Sequence, residues 1–339
     1  MIQPLLSVEN LSIRFHTDEG QITAVDNVSF EIFPKEVLGL VGESGSGKSV
    51  TAKSLMQLNT SNAVYTDNSK ITLQDENGPV DVLALKKNKE LNLIRGGAIS
   101  MIFQKPMASF APAITVGSQM VEQLLLHSNM TKKEAREHSI EMLARVGISG
   151  PAHRFDQYAF EFSGGMRQRA MIALALSTKP KLLIADEPTT ALDVTIQAQV
   201  IDLMMDLVAD FGMAILFITH DLGVIAQTAD RVAVMYLGKL VETGSVRQVI
   251  REPAHIYTQD LLNALPKLEN LDEPLTPIPG DIPSPLERPS GCVFHTRCSQ
   301  FVKDTCDVAI PKPTKIAEGH LASCYLAESK MFEKTEMPA

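Results

Sequence analysis

The chain has 339 residues, 45% apolar and 21% charged, the proportions of an ordinary soluble globular protein with room for one large domain and a smaller appendage. Its formal charge of −9 argues against sequence-independent nucleic-acid binding, which needs an excess of Lys and Arg. The opening residues, MIQPLLSVENLSIRF, show no charged leader before an apolar core, and the longest apolar runs, such as MAILF at 213–217, fall far short of the roughly 18 residues a membrane span needs. A cytosolic chain is therefore expected, in which clustered thiols more often hold metal than form disulfides.

LLSVENLSIRF (5–15) and AVDNVSFEIF (24–33) alternate apolar and polar residues, the pattern of antiparallel strands with one solvated face. VLGLVG (37–42), AISMIF (98–103), KLLIAD (181–186) and AILFIT (214–219) are instead nearly continuous apolar runs, as in strands buried on both faces. Helical stretches lie between several of them. At TKKE (131–134), Thr131 and Glu134 are placed for a capping box ahead of the periodic run Ile140, Met142, Leu143. Strands alternating with helices imply a largely parallel sheet, so the expected fold class is α/β with an antiparallel β edge. Beyond about residue 255 the texture changes: Pro274, Pro277, Pro279, Pro283, Pro285 and Pro289 favour extended backbone and describe a linker or wrapping arm.

GESGSGKS (42–49) follows an apolar strand and precedes the plausible helix VTAKSLMQL. It fits the phosphate-binding pattern G-x-x-x-x-G-K-[ST], in which glycines let backbone N–H groups face phosphate beside a helix N-terminus. Gly42, Ser44, Gly45, Ser46, Gly47, Lys48 and Ser49 are the candidate contacts, with Lys48 on the β- and γ-phosphates and Ser49 on Mg²⁺. LLIADE (182–187) is the partner motif. A strand ending in two carboxylates puts Asp186 in the Mg²⁺ shell and lets Glu187 orient and deprotonate the attacking water. EFSGGMRQR (161–169) adds a second cluster of N–H donors at a helix start, and one chain seldom needs two phosphate nests for one nucleotide.

With that third motif the chain resembles the ATPase subunit of an ABC transporter over roughly residues 5–265, a P-loop NTPase fold with a helical signature subdomain. The resemblance implies further roles. Gln104 in MIFQKPM matches the glutamine loop that senses Mg²⁺ and water and links to the membrane partner. Asp193 in TTALD matches the D-loop. His220 in FITHD, 33 residues after Glu187, matches the switch histidine, and Phe15 stands where an aromatic residue stacks on adenine. Ser163, Gly164 and Gly165 match residues that contact ATP bound to the opposite subunit, so a second ATPase subunit, identical or related, is implied. ATP would favour a closed pair and hydrolysis would reopen it.

Together with AHIYTQDLLNALP (254–266), these motifs most resemble the oligopeptide and dipeptide branch of bacterial importers. Met166 and Phe162 are common variants of the signature there, whereas Lys105 and Ala111, which flank the glutamine loop, are less usual. The branch implies two transmembrane permease subunits, an extracytoplasmic peptide-binding protein, no nucleic acid, and a peripheral place on the cytoplasmic face of the inner membrane. Nickel or cationic peptides as cargo, or a soluble ABC ATPase uncoupled from transport, are the alternatives. The chain's four cysteines, Cys292, Cys298, Cys306 and Cys324, are spaced C-x5-C-x7-C-x17-C. Spacing alone does not choose among an iron–sulfur cluster, zinc and unligated thiols. The resemblance implies a [4Fe–4S] cluster, with zinc as the alternative. His295 and His320 nearby read as surface or structural histidines. The expected organisation is a nucleotide-binding domain over 1–255, with its helical subdomain at about 105–180, and a C-terminal extension over 256–339.

Overall fold

A computed structural model describes residues 3–76, 78–189, 193–265 and 277–327. The strands are β1 (Leu6–Thr17), β2 (Gly20–Ile32), β3 (Val37–Val41), β4 (Ala63–Tyr65), β5 (Lys70–Asp75), β6 (Gly78–Asp81) and β7 (Ile99–Ile102). They continue with β8 (Leu182–Asp186), β9 (Ala214–Thr219), β10 (Arg231–Tyr236), β11 (Lys239–Ser245), β12 (Thr314–Ala317) and β13 (His320–Ala322). The chain divides into two compact units. One comprises Met1–Leu5, Ile32–Val37 and Asp81–Ile218; the other comprises Leu6–Glu31, Leu38–Val80 and Thr219–Ala339.

The second of these, the P-loop unit, contains the expected antiparallel edge as a sheet in the order β2-β1-β5-β6, with β4 also on β1. β1 meets β5 in the register Leu6↔Leu73 and Val8↔Ile71, which sets apolar residues opposite one another on the buried face. Alternation in β1 slips by one residue at Glu9-Asn10, so that Leu6, Val8, Leu11 and Ile13 all point inward. Asn10 absorbs the slip at φ 49°, a left-handed conformation that Asn tolerates better than most residues. In the same unit β3 runs parallel to β10, β10 turns back antiparallel to β11, and the β12–β13 hairpin adds to β11 at Glu242↔Ala322. The chain beyond the proline-rich segment therefore returns to this sheet as two of its strands.

In the other unit β7, β8 and β9 are parallel, in the register Ile99↔Leu182 and Leu182↔Ala214, and every residue of β7 and β8 is buried. This is the packing that continuous apolar runs require. Helices Val116–His127, Lys132–Arg145 and Gly164–Leu176 pack here, with Phe155 lying directly on Gly117, where any Cβ would collide with its ring. The expected capping box forms: the Glu134 carboxylate accepts from the Thr131 N–H at 2.7 Å, and the Thr131 hydroxyl accepts from the Glu134 N–H at 3.3 Å. Among the described residues no helix is long and apolar enough to cross a membrane.

Candidate functional site

The glycine-rich loop leaves β3 and opens the helix Lys48–Ser54. Two glycines are required there for different contacts. Gly42, at φ 151°, lies against the Met235 carbonyl, and Gly47, at φ 98°, lies against the Ala24 carbonyl; a Cβ at either position would run into backbone. Gly45, at φ 80°, faces open space, and Ser44 beside it is exposed. Ser46 is buried and its carbonyl accepts from the Gly238 N–H at 2.9 Å, which ties the loop to the β10–β11 turn. The Lys48 ammonium donates to the carbonyls of Gly42 at 2.7 Å and Glu43 at 2.9 Å, so the cation already sits inside the loop's own curve. Ser49 follows on the first turn, half-buried. In the same unit His220 is exposed at the end of β9, one residue before Asp221, whose carboxylate caps the helix Leu222–Thr228. Phe15 is half-buried on β1 opposite Ala63.

The other unit carries the carboxylates. β8 delivers Asp186, buried, and Glu187, half-buried. Glu187 has φ 47°, a left-handed backbone uncommon for a non-glycine residue, held by its N–H donating to the Ile218 carbonyl at 2.9 Å. Its carboxylate accepts a 2.8 Å hydrogen bond from the Gln104 side-chain amide. The structure thus brings together the two residues that sequence assigned to the attacking water. In the same unit Ser163 caps the helix Gly164–Leu176, its hydroxyl accepting from the Met166 N–H at 3.3 Å. Ser163 and Gly164 are exposed, and a Cβ at Gly164 would meet nothing within 4 Å, so this helix start opens outward. The buried Gln168 amide donates to the Pro188 carbonyl, which fixes this helix to the backbone just beyond Glu187. Asp193 is exposed at the start of the helix Val194–Phe211; the rest of the expected D-loop, Thr190 to Leu192, lies outside the described residues.

The cysteines come together although 17 residues separate the last two. Cys292, Cys298, Cys306 and Cys324 line a single recess with Phe294, Ile256 and Leu326 on its apolar walls. All four are free thiols. Burial, reinforced by the neighbouring thiols, pushes Cys292 up to about 11, and burial also raises Cys298. Among the described residues no three His, Cys, Asp or Glu side chains converge closely enough to hold a metal ion.

His255 also lines the recess, and sequence reasoning passed over it. Its Nδ1 accepts from the Tyr257 N–H at 3.0 Å, so the ring proton resides on Nε2, which is buried without a partner among the described residues. Burial lowers its pKa to about 4, against a smaller opposing pull from Glu242, so the ring is neutral near pH 7. A buried N–H with no acceptor, beside four thiols, fits a sulfur-rich anionic occupant. His320 is structural, as expected: its Nε2 lies 2.7 Å from the buried Glu242 carboxylate, which also accepts from the N–H groups of Ala254 and His255.

Sequence comparison decides what these sites belong to. Residues 25–190 match the ABC transporter family, and residues 241–306 match the oligopeptide/dipeptide transporter C-terminal region. A Brucella abortus protein provisionally named as a peptide import ATP-binding protein is 46% identical over 328 residues, covering 95% of this chain and 97% of its own length. The chain is an ABC transporter ATPase. A Brucella melitensis relative with the same provisional name is 47% identical over 320 residues, 94% of each chain. Among solved structures, a dimeric ATP-binding cassette in a post-hydrolysis state with ADP and phosphate superposes with a TM-score of 0.62 at 25% identity, over 71% of this chain and 99% of that one. CbiO1 of Clostridium perfringens, part of an ABC transporter complex, gives 0.60 at 25% identity over 74% of this chain and 91% of that one. The ABC ATPase has the P-loop cassette fold, and its activity is ATP hydrolysis coupled to transport.

Proposed function

We propose that this ABC ATPase powers the import of short peptides through a pore formed by two transmembrane permease subunits, working from the cytoplasmic face of the membrane with cargo delivered by an extracytoplasmic binding protein. The observation that carries this reading is the oligopeptide/dipeptide transporter C-terminal region at 241–306 on a chain whose relatives match along nearly its whole length. The test is uptake. Deleting the chain from its host abolishes uptake of labelled di- to pentapeptides and leaves nickel uptake intact; the reverse pattern assigns the nickel alternative.

In this reading residues 42–49 wrap the nucleotide's phosphates with N–H groups. Lys48 exchanges its loop carbonyls for the β- and γ-phosphates, and Phe15 stacks on adenine. Ser49, Gln104 and Asp186 offer the oxygen ligands that Mg²⁺ prefers, and the ion when bound neutralises charge developing on the phosphates. Glu187 accepts the proton of the attacking water as the γ-phosphoryl–oxygen bond breaks, while Gln104, hydrogen-bonded to it, keeps that carboxylate aimed. His220 steadies the γ-phosphate. The exposed helix start at Ser163, Gly164 and Gly165, together with Asp193, meets the nucleotide of a second ATPase subunit. Each ATP then bridges two chains until it is cleaved.

Cys292, Cys298, Cys306 and Cys324 are the residues that would hold a [4Fe–4S] cluster, and the buried Nε2–H of His255 is the hydrogen-bond donor the chain would offer it. When bound, such a cluster would supply iron–thiolate bonds joining positions of the extension that are far apart in sequence.

A further inference from the structure

The second residue of the phosphate loop is an acid. Glu43 lies inside a segment read as binding a polyanion, and an unneutralised carboxylate there would repel phosphate. The structure answers this from 254 residues away. Arg297 grips Glu43 with two parallel bonds, Nη1 to Oε2 at 2.7 Å and Nη2 to Oε1 at 3.1 Å. This is the bidentate geometry in which Arg–carboxylate pairs are strongest.

The guanidinium is itself fixed on its other sides. Nε donates to the Pro279 carbonyl at 3.0 Å, Nη1 also reaches the Tyr236 hydroxyl at 3.4 Å, and the residue is only 7% exposed. Burial opposes its charge, but the Glu43 carboxylate and the Tyr236 hydroxyl outweigh that and hold it above the ordinary arginine value. Glu43's backbone is held as well: its N–H donates to the Tyr257 hydroxyl at 2.9 Å, and its carbonyl accepts from Lys48 at 2.9 Å. Tyr236 and Tyr257 pack at 4.7 Å between ring centres, and Phe294 stands 5.1 Å from each. Phe294 and Arg297 both belong to the Cys292–Cys298 segment, so one patch of the extension seats this corner of the loop.

We propose that Arg297 is a positioning residue for nucleotide binding: by pairing with Glu43 it neutralises and fixes the one carboxylate of the phosphate loop, so that the C-terminal extension sets the loop's affinity for polyphosphate. The inference rests on the reading that residues 42–49 hold the nucleotide. It places a determinant of ATP affinity outside every motif that contacts ATP.

The test is equilibrium binding of MgATP to the full chain, with steady-state KM and kcat alongside. Arg297→Ala weakens binding by about tenfold or more and raises KM, while kcat at saturating ATP stays within about threefold. Adding Glu43→Gln to Arg297→Ala removes the freed charge and restores binding to within about threefold of wild type, a rescue that a merely structural arginine would not show. Arg297→Lys, which keeps the charge and loses the fork, falls between the two. Should Arg297→Ala fail to fold, Glu43→Gln alone carries the test, and it binds MgATP at least as tightly as wild type. Wild-type affinity in Arg297→Ala, a double variant as weak as Arg297→Ala, or weakened binding in Glu43→Gln each overturns the proposal. Lys48→Ala separates this from the underlying reading: undiminished ATP binding there removes the loop assignment itself, whereas lost binding there with an unaffected Arg297→Ala removes only the role of Arg297.

Discussion

Replacing Glu187 by Gln keeps the side chain's shape and removes its ability to take a proton. The backbone at Glu187 sits at φ 47°, a strain that Glu and Gln bear alike, so the substitution adds no conformational cost there. The 2.8 Å bond from the Gln104 amide survives, because the new side chain still offers a carbonyl oxygen. It passes from a charged to a neutral acceptor and weakens by about 1 kcal/mol, too little to unfold a chain of this size. ATP binding is therefore retained. Loss of a general base slows the chemical step about 10²- to 10⁴-fold, or roughly 3–5 kcal/mol in the barrier. The assay pairs phosphate release under steady state with binding of a fluorescent ATP analogue. Turnover within about threefold of wild type, with binding intact, would refute the assignment of Glu187 as the base.

Ser163→Arg places a long cation at an exposed helix start where Ser163 makes only a weak cap, so ATP binding to the single chain is unchanged and hydrolysis is lost; an unaltered rate counts against contact with a second chain's nucleotide. Gly42→Ala drives a Cβ into the Met235 carbonyl at φ 151°, and nucleotide titration of the variant shows affinity reduced at least tenfold, with wild-type affinity contradicting the required close approach. Protein purified without oxygen is brown and releases acid-labile sulfide, and Cys298→Ser lowers both; colourless wild-type protein carrying no iron removes the cluster from the account.

The parts of the fold that sequence revealed are those in which local pattern and burial coincide. β7, β8 and β9 are buried on both faces, so their residues are almost continuously apolar and recognisable as such. The capping box at Thr131 and Glu134 is a contact three residues apart and is written in the chain directly. The phosphate loop, Glu187 and Ser163 were legible because phosphate chemistry demands fixed residue types at fixed spacing. What escaped was long-range and polar. Nothing near Glu43 signals that its partner lies at Arg297, and nothing in β11 announces that Glu242 is fully buried against His320. The proline-rich texture suggested a wrapping arm but hid the return of β12 and β13 to the sheet, since strands of three or four residues carry almost no periodicity. Nothing in the sequence around His255 marks it, because its significance is the burial of an Nε2 without a partner among the described residues, in the recess that the thiols line.

The central claim is that the phosphate loop and the Ser163 helix start of one chain serve different nucleotides, so that ATP is cleaved only between paired ATPase chains. Its most direct test follows the sedimentation of the hydrolysing species during turnover, recording phosphate release in the moving boundary. The account predicts activity that travels with a mass of at least two ATPase chains and an idle monomer. Full-rate hydrolysis travelling with the monomer in every nucleotide state would contradict it.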